Sequence, residues 1–103
     1  MKKVKKTIAD SATEVITTEA KALIALANKL PKDFEKVVKL ITGIKGHVII
    51  SGVGKSGHIG RKISATLAST GTPSHFVHAT EASHGDLGAF TGNDVCLLIS
   101  NSG

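Results

Sequence analysis

The sequence predicts an α/β fold in which helices cover a parallel sheet. Three observations carry this prediction. Short apolar, β-branched runs stand at 47–51, 75–78 and 95–99, and a stretch of helical periodicity separates the first two. The resulting order, β-α-β-loop-β, requires parallel crossovers. Hydrophobic residues make up 41% of the chain, yet there are three Phe and neither Trp nor Tyr. A core of Val, Ile, Leu and Ala suits helices packed on a parallel sheet.

Along the chain, Ile8, Ala12, Val15, Leu23, Ala27 and Leu30 recur at three- and four-residue steps. They predict one helix of about six turns over roughly 7–29. Its apolar stripe needs a cover, either the sheet layer or a second subunit. Pro31 interrupts the pattern, and a shorter helix with Phe34, Val37, Val38 and Ile41 on one face runs to Gly43. The period changes at Gly46. His47–Ser51 predicts a strand, and Gly52–Gly57 a loop. A helix follows to Gly71, with Ile59, Ile63 and Leu67 on one face and Gly57, Gly60, Ala65 and Ala68 keeping it slim enough to lie close to a sheet. Thr72-Pro73 makes a turn into a second strand, His75–His78. Residues 79–93 form a Gly-, Ser-, Thr- and His-rich loop with a helical turn near Glu81–Gly85.

The last run, Val95–Ile99, is apolar on both faces, as an interior strand of a parallel sheet should be. Such a strand needs neighbours and a helix layer on each side. Three strands with an interior edge uncovered are marginal alone. The expectation is therefore an N-terminal helical segment over 1–46, followed over 47–103 by the first half of a larger domain.

At 103 residues the chain has room for one domain at most. Its single cysteine, Cys96, can form no internal disulfide, and its place in the last strand predicts a buried thiol in a reducing compartment. Net charge is +5. Residues 1–46 hold ten Lys and five acids, whereas 47–103 hold three basic and three acidic residues. A basic start of this kind can touch nucleic acid or anionic lipid, but lysines spaced along amphipathic helices make a solvated face. Neither a nucleic-acid nor a membrane partner is expected. No apolar run approaches ~18 residues, and no apolar h-region follows the basic start, so the expected location is cytoplasmic.

The segment HVIISGVGKSG places a Gly/Ser turn straight after a strand and at a helix start, the arrangement by which α/β proteins hold phosphate. ISNSG repeats the idea after the last apolar run. A P-loop needs glycine five residues before the Gly-Lys pair, where Ile49 stands. A dinucleotide fingerprint fits Gly52, Gly54 and Gly57. However, the ribose-binding acid expected after the second strand is missing from Val77-His78-Ala79.

Several motifs in the right order support a third reading. GKSGHIGRK, STGTPSHFVH, EASHGDLG and the closing SNSG strongly resemble the sugar isomerase (SIS) domain of bacterial arabinose-5-phosphate isomerases. The likeness is dense over 47–103 and looser before it. It implies a flavodoxin-like αβα sandwich with a five-stranded parallel sheet. It also implies interconversion of D-arabinose 5-phosphate and D-ribulose 5-phosphate through an enediol, feeding synthesis of an octulosonate sugar of the outer envelope. Homo-oligomers, dimeric or tetrameric, and no cofactor belong to the same expectation. On the family pattern Ser56, Ser100 and Ser102 hold the phosphate. Gly71 and Thr72 match a substrate-contacting turn, Lys55 a catalytic lysine, and His84 a histidine at the substrate. His78 matches a metal contact where zinc inhibits. Further acids and a histidine of the family pattern lie beyond SNSG, so the expectation is a truncated piece without turnover.

The chemistry agrees with these roles. Aldose–ketose isomerisation moves a proton between C1 and C2, and a lysine supplies positive charge at the developing oxyanion. A histidine near neutrality passes protons. Blander readings stand beside them. Lys55 can simply bind phosphate, and His78 can be a structural histidine closing a strand. His58 can shape a first helical turn, while His47 and His75 read as structural. His78 and His84, with Glu81 and Asp86 nearby, match no closed four-ligand zinc site. The alternative function is a non-catalytic SIS module that binds a phosphosugar or nucleotide sugar; a helix-turn-helix segment would favour a regulator, and none is apparent.

Overall fold

The structure, a computed structural model, describes residues 5–80 and 91–101. In chain order these form α1 (Ile8–Asn28), α2 (Phe34–Gly43), β1 (Val48–Ser51), α3 (Gly54–Ser69), β2 (Ser74–Phe76) and β3 (Val95–Leu98). They divide into two compact units, Met1–Phe34 and Glu35–Gly103. Nearly all of α2 therefore belongs to the unit with the sheet, whereas the sequence reading grouped everything before 47 together. The helical turn expected near Glu81–Gly85 lies outside the described residues.

In the first unit, α1 starts where its chemistry tells it to. Thr7 is the N-cap: its Oγ1 accepts from the Asp10 backbone N–H at 3.0 Å, and the Asp10 carboxylate accepts from the Thr7 N–H at 3.0 Å. This reciprocal capping box satisfies two donors that a helix start leaves orphaned. Lys6 pairs with Glu14 across the first turns. No residue of α1 is buried, so its apolar stripe stands exposed.

In the second unit, β1 is the centre of a parallel sheet of order β2-β1-β3. Val48 pairs with Ser74 on one side and with Val95 on the other. Val48, Ile49 and Ile50 are completely buried and, with Val77, make the core. Parallel pairing with both faces covered explains why β1 is an unbroken apolar run rather than an alternating one.

The α3 helix packs on β1 and β2 through its smallest residues. Gly57, Gly60 and Ser64 are its buried positions, while Ala65 and Ala68 are exposed. A Cβ on Gly60 would stand 3.0 Å from Ile50 Cγ2 and 3.2 Å from Phe76 Cε2. Close approach of helix to sheet therefore depends on that glycine. Ser64 and Ser74 hydroxyls lie 2.9 Å apart, and Ser74 Oγ donates to the Val48 carbonyl at 2.8 Å. The buried polar groups under α3 thus satisfy one another.

β3 differs from expectation. It has β1 on one edge and no described strand on the other, and its residues alternate between half-buried and exposed. Leu98 is 75% exposed and Cys96 is exposed as well. The buried thiol expected at Cys96 is thereby corrected. α3 packs on β1 and β2, and Cys96 and Leu98, the register partners of Ile49 and Ser51, stand on the sheet face away from it. Among the described residues no helix is long and apolar enough to cross a membrane.

Candidate functional site

From β1 the chain crosses through α3 to β2 on one side, then returns to the other side of β1 as β3. That reversal is a topological switch point between β1 and β3, and ligands of open parallel sheets bind outside the carboxyl ends of the strands there. A cleft of about 530 Å³ opens at this place, lined by Ser51, Gly52, Lys55, Ser56, Ser100 and Asn101 among others.

The turn from β1 into α3 is built to present backbone donors. Val53 is the N-cap in an extended conformation, with no side-chain cap and no acid in the first turn of α3. The first intrahelical bond runs from the Gly57 N–H to the Val53 carbonyl, 3.2 Å. The N–H groups of Gly54, Lys55 and Ser56 therefore precede any intrahelical acceptor. Gly54 takes φ +57°, left-handed backbone that glycine adopts without penalty. A Cβ on Gly52 would lie 3.1 Å from both the Gly57 nitrogen and the Ile99 carbonyl oxygen. Only glycine lets the exits of β1 and β3 and the start of α3 meet backbone to backbone. The Ile99 N–H donates to the Ser51 carbonyl at 3.0 Å and locks the two exits together.

Positive charge gathers at this end. The amino terminus of α3 carries the positive end of the helix dipole, and the exposed Lys55 side chain adds a full charge beside it. No described carboxylate pairs with Lys55. Ser56 and Ser100 bring hydroxyls from the two loops to the same cleft. An anion of phosphate size is the group such an arrangement can hold.

Of the residues picked from the sequence, the structure brings Lys55, Ser56 and Ser100 together. Gly71 and Thr72 lie at the opposite end of the sheet, where they close α3 before β2. The Thr72 N–H donates to the Leu67 carbonyl at 2.9 Å, and Gly71 takes φ +101°. Neither lines the cleft. His78 lines a second cavity, of about 300 Å³, with His58, Arg61 and Phe76. Its Nδ1 accepts from the Thr80 backbone N–H at 3.2 Å, which leaves the proton of the neutral ring on Nε2. Nε2 is then the ring nitrogen left to meet a ligand. Among the described residues no three His, Cys, Asp or Glu side chains gather into a metal site. His84 and Ser102 lie outside the described residues. Ser51 and Asn101 were missed; their signal was a small polar residue just where an apolar strand ends.

Comparison with known proteins decides the family. Residues 40–103 match the SIS domain family. The chain belongs to it. This SIS-domain chain is 54% identical over 93 residues to arabinose 5-phosphate isomerase KdsD of Pseudomonas aeruginosa, covering 90% of itself and 28% of that protein. It is also 54% identical over 94 residues to arabinose 5-phosphate isomerase KpsF of Escherichia coli O6:H1, covering 90% of itself and 29% of that protein. A solved structure of an E. coli CFT073 protein in complex with a sugar phosphate superposes with a TM-score of 0.80 at 44% identity, over 92% of this chain and 52% of that one. The chain thus spans about half the length of that solved SIS protein and under a third of those curated relatives. The expected flavodoxin-like SIS architecture holds, with three of its parallel strands in the described residues.

Proposed function

We propose that this SIS domain binds the phosphate of a pentose 5-phosphate at the β1–β3 switch point and contributes Lys55 to an aldose–ketose isomerisation between D-arabinose 5-phosphate and D-ribulose 5-phosphate. The observation that supports this reading is the convergence of Lys55, Ser56, Ser100 and the uncapped start of α3 on one cleft. Phosphate accepts from the first-turn N–H groups of α3 and from the Ser56 and Ser100 hydroxyls. Ser102, the residue after Asn101 in the sequence, is assigned to the same group. Anchoring the phosphate directs the sugar's C1–C2 end away from the helix start. Lys55 is assigned to the oxygen that gains charge as the enediol forms, where a fixed cation lowers the barrier. His84 is assigned to proton transfer during ring opening. The relatives named arabinose 5-phosphate isomerases, and the neighbour solved with a sugar phosphate, support the choice of ligand. Gly71 and Thr72 are left out of this cleft.

The test is a titration of the 103-residue chain with D-arabinose 5-phosphate, followed by amide resonances. Shifts confined to 51–56 and 98–102, absent with phosphate-free D-arabinose and lost in Ser56→Ala, are expected. Unmoved resonances at millimolar ligand, or equal shifts with D-arabinose, would sink the reading. Turnover is read in a coupled assay on this chain and on a chimaera extended with a relative's residues. Loss of about 100-fold in kcat on Lys55→Ala, with little change in KM, marks transition-state stabilisation. Binding without turnover in either protein instead identifies a phosphosugar-binding module.

A further inference from the structure

The cavity holding His78 shares no lining residue with the Lys55 cleft. Gly54, Gly57, His58 and Arg61 share one face of α3, at steps of three and four residues, and Phe76 and His78 face them from the end of β2. The Phe76 ring rests on the glycines of that face: added Cβ atoms at Gly57 and Gly60 would stand 3.5 and 3.2 Å from it. Over the ring lies Arg61, its guanidinium carbon 4.3 Å from the centroid. This cation–π contact holds the guanidinium at the ring, while its N–H groups stay available for a planar or tetrahedral oxyanion. No described carboxylate forms an ion pair with Arg61. His78 presents Nε2–H, because Nδ1 is taken by the Thr80 N–H. His58 adds a third ring to the same cavity. Among the described residues, the polar side chains lining this cavity are thus a guanidinium fork and two imidazoles, with no carboxylate.

We propose that this cavity binds an oxyanion, the phosphate or carboxylate group of a small metabolite, through the Arg61 fork and the His78 and His58 rings. It is a second anion site, on the other side of the start of α3 from the Lys55 cleft, and it rests on no part of the isomerase reading. The volume of about 300 Å³ lies at the small end of ligand pockets, as a small metabolite requires.

The test follows the ring nitrogens of His58 and His78 by NMR at fixed pH while the whole chain is titrated with inorganic phosphate and, separately, with acetate. The proposal expects saturable shifts of both rings with at least one probe; the probe acting at lower concentration identifies the group. Arg61→Lys keeps a cation near Phe76 but loses the fork, and should weaken binding about tenfold. Arg61→Gln should abolish the shifts while the D-arabinose 5-phosphate shifts at 51–56 persist. Ser56→Ala should do the reverse, which separates failure here from failure of the first cleft. Rings unmoved by both probes in the unmodified chain overturn the proposal, as do equal shifts in Arg61→Gln and Arg61→Lys. Should Arg61→Gln not fold, the unmodified chain and Arg61→Lys still decide.

Discussion

The two ends of the parallel sheet treat hydrogen bonding in opposite ways. At the amino end the polar groups are paired within the protein. Asp94, its side chain only 3% exposed, accepts from the backbone N–H groups of His47 and Thr91, each at 2.7 Å. The Gly46 N–H donates to the Asn93 carbonyl at 3.1 Å, and Ser74 ties down the Val48 carbonyl. At the carboxyl end, α3 begins without a side-chain cap, and Lys55 and Ser56 line an open cleft. Residues at one end are committed to holding strands in register, and those at the other leave donors for a ligand. Stability and binding should therefore respond to different substitutions.

The largest effect should come from Gly46→Ala. The added Cβ would overlap Asp94 Oδ1 and stand 2.7 Å from the Asn93 carbonyl oxygen. The atoms in its way are backbone and a fixed carboxylate, so the turn before β3 must move. A loss of about 2–3 kcal/mol is expected from such overpacking, read as a lower urea midpoint. Molecules that remain folded should bind D-arabinose 5-phosphate as before. An unchanged midpoint would show that the amino end is slack.

Asp94→Asn should follow. The His47 N–H foremost, then that of Thr91, holds the Asp94 carboxyl below its ordinary value, against the opposing effect of burial. Because the folded value is the lower one, Asp94 contributes stability that is fully present above about pH 5. That contribution is lost as the pH falls past 3.8 and through the depressed folded value. Urea midpoints at pH 7, 5 and 3 should fall with acid in the unmodified chain. In Asp94→Asn the midpoint should start lower at pH 7 and fall less steeply. Parallel curves for the two proteins would remove Asp94 from this account.

Much of this contrast was legible in the sequence. The strands and helices follow from β-branched runs and helical periods, and α1 begins one residue after its Thr7 cap. The family resemblance supplied Lys55, Ser56 and Ser100, while the loops that carry them were legible because each follows an apolar strand, and a parallel sheet brings such exits together. What escaped depends on tertiary contact. Gly57 and Gly60 are legible as the residues that let α3 lie close to the sheet, but the third buried position is Ser64 rather than Ala65 or Ala68. The exposure of Cys96 depends on which faces of the sheet are covered, which residue type cannot report. The cation–π contact of Arg61 with Phe76 joins residues fifteen apart through the crossing of α3 over β2. For Gly71 and Thr72 a family motif supplied the residues, and the structure supplied an end of the sheet away from the cleft.

That last point gives the smallest and sharpest test, a pair of glycines with equal backbone demands at opposite ends. Gly54 and Gly71 both have positive φ, and a Cβ at either position would meet nothing within 4 Å. Alanine should therefore cost the same at each, about 1–2 kcal/mol of backbone strain with no packing clash. Similar falls in urea midpoint are expected. Their effects on ligand should part company, because relieving the strain at position 54 turns the first N–H groups of α3 away from the cleft. Gly54→Ala should weaken D-arabinose 5-phosphate binding by about tenfold, the scale of one charge-assisted hydrogen bond. Gly71→Ala should leave affinity untouched. If instead Gly71→Ala loses affinity at unchanged fold, the turn before β2 reaches substrate after all. The division of labour between the two ends would then fail at the residue where sequence likeness and geometry disagree.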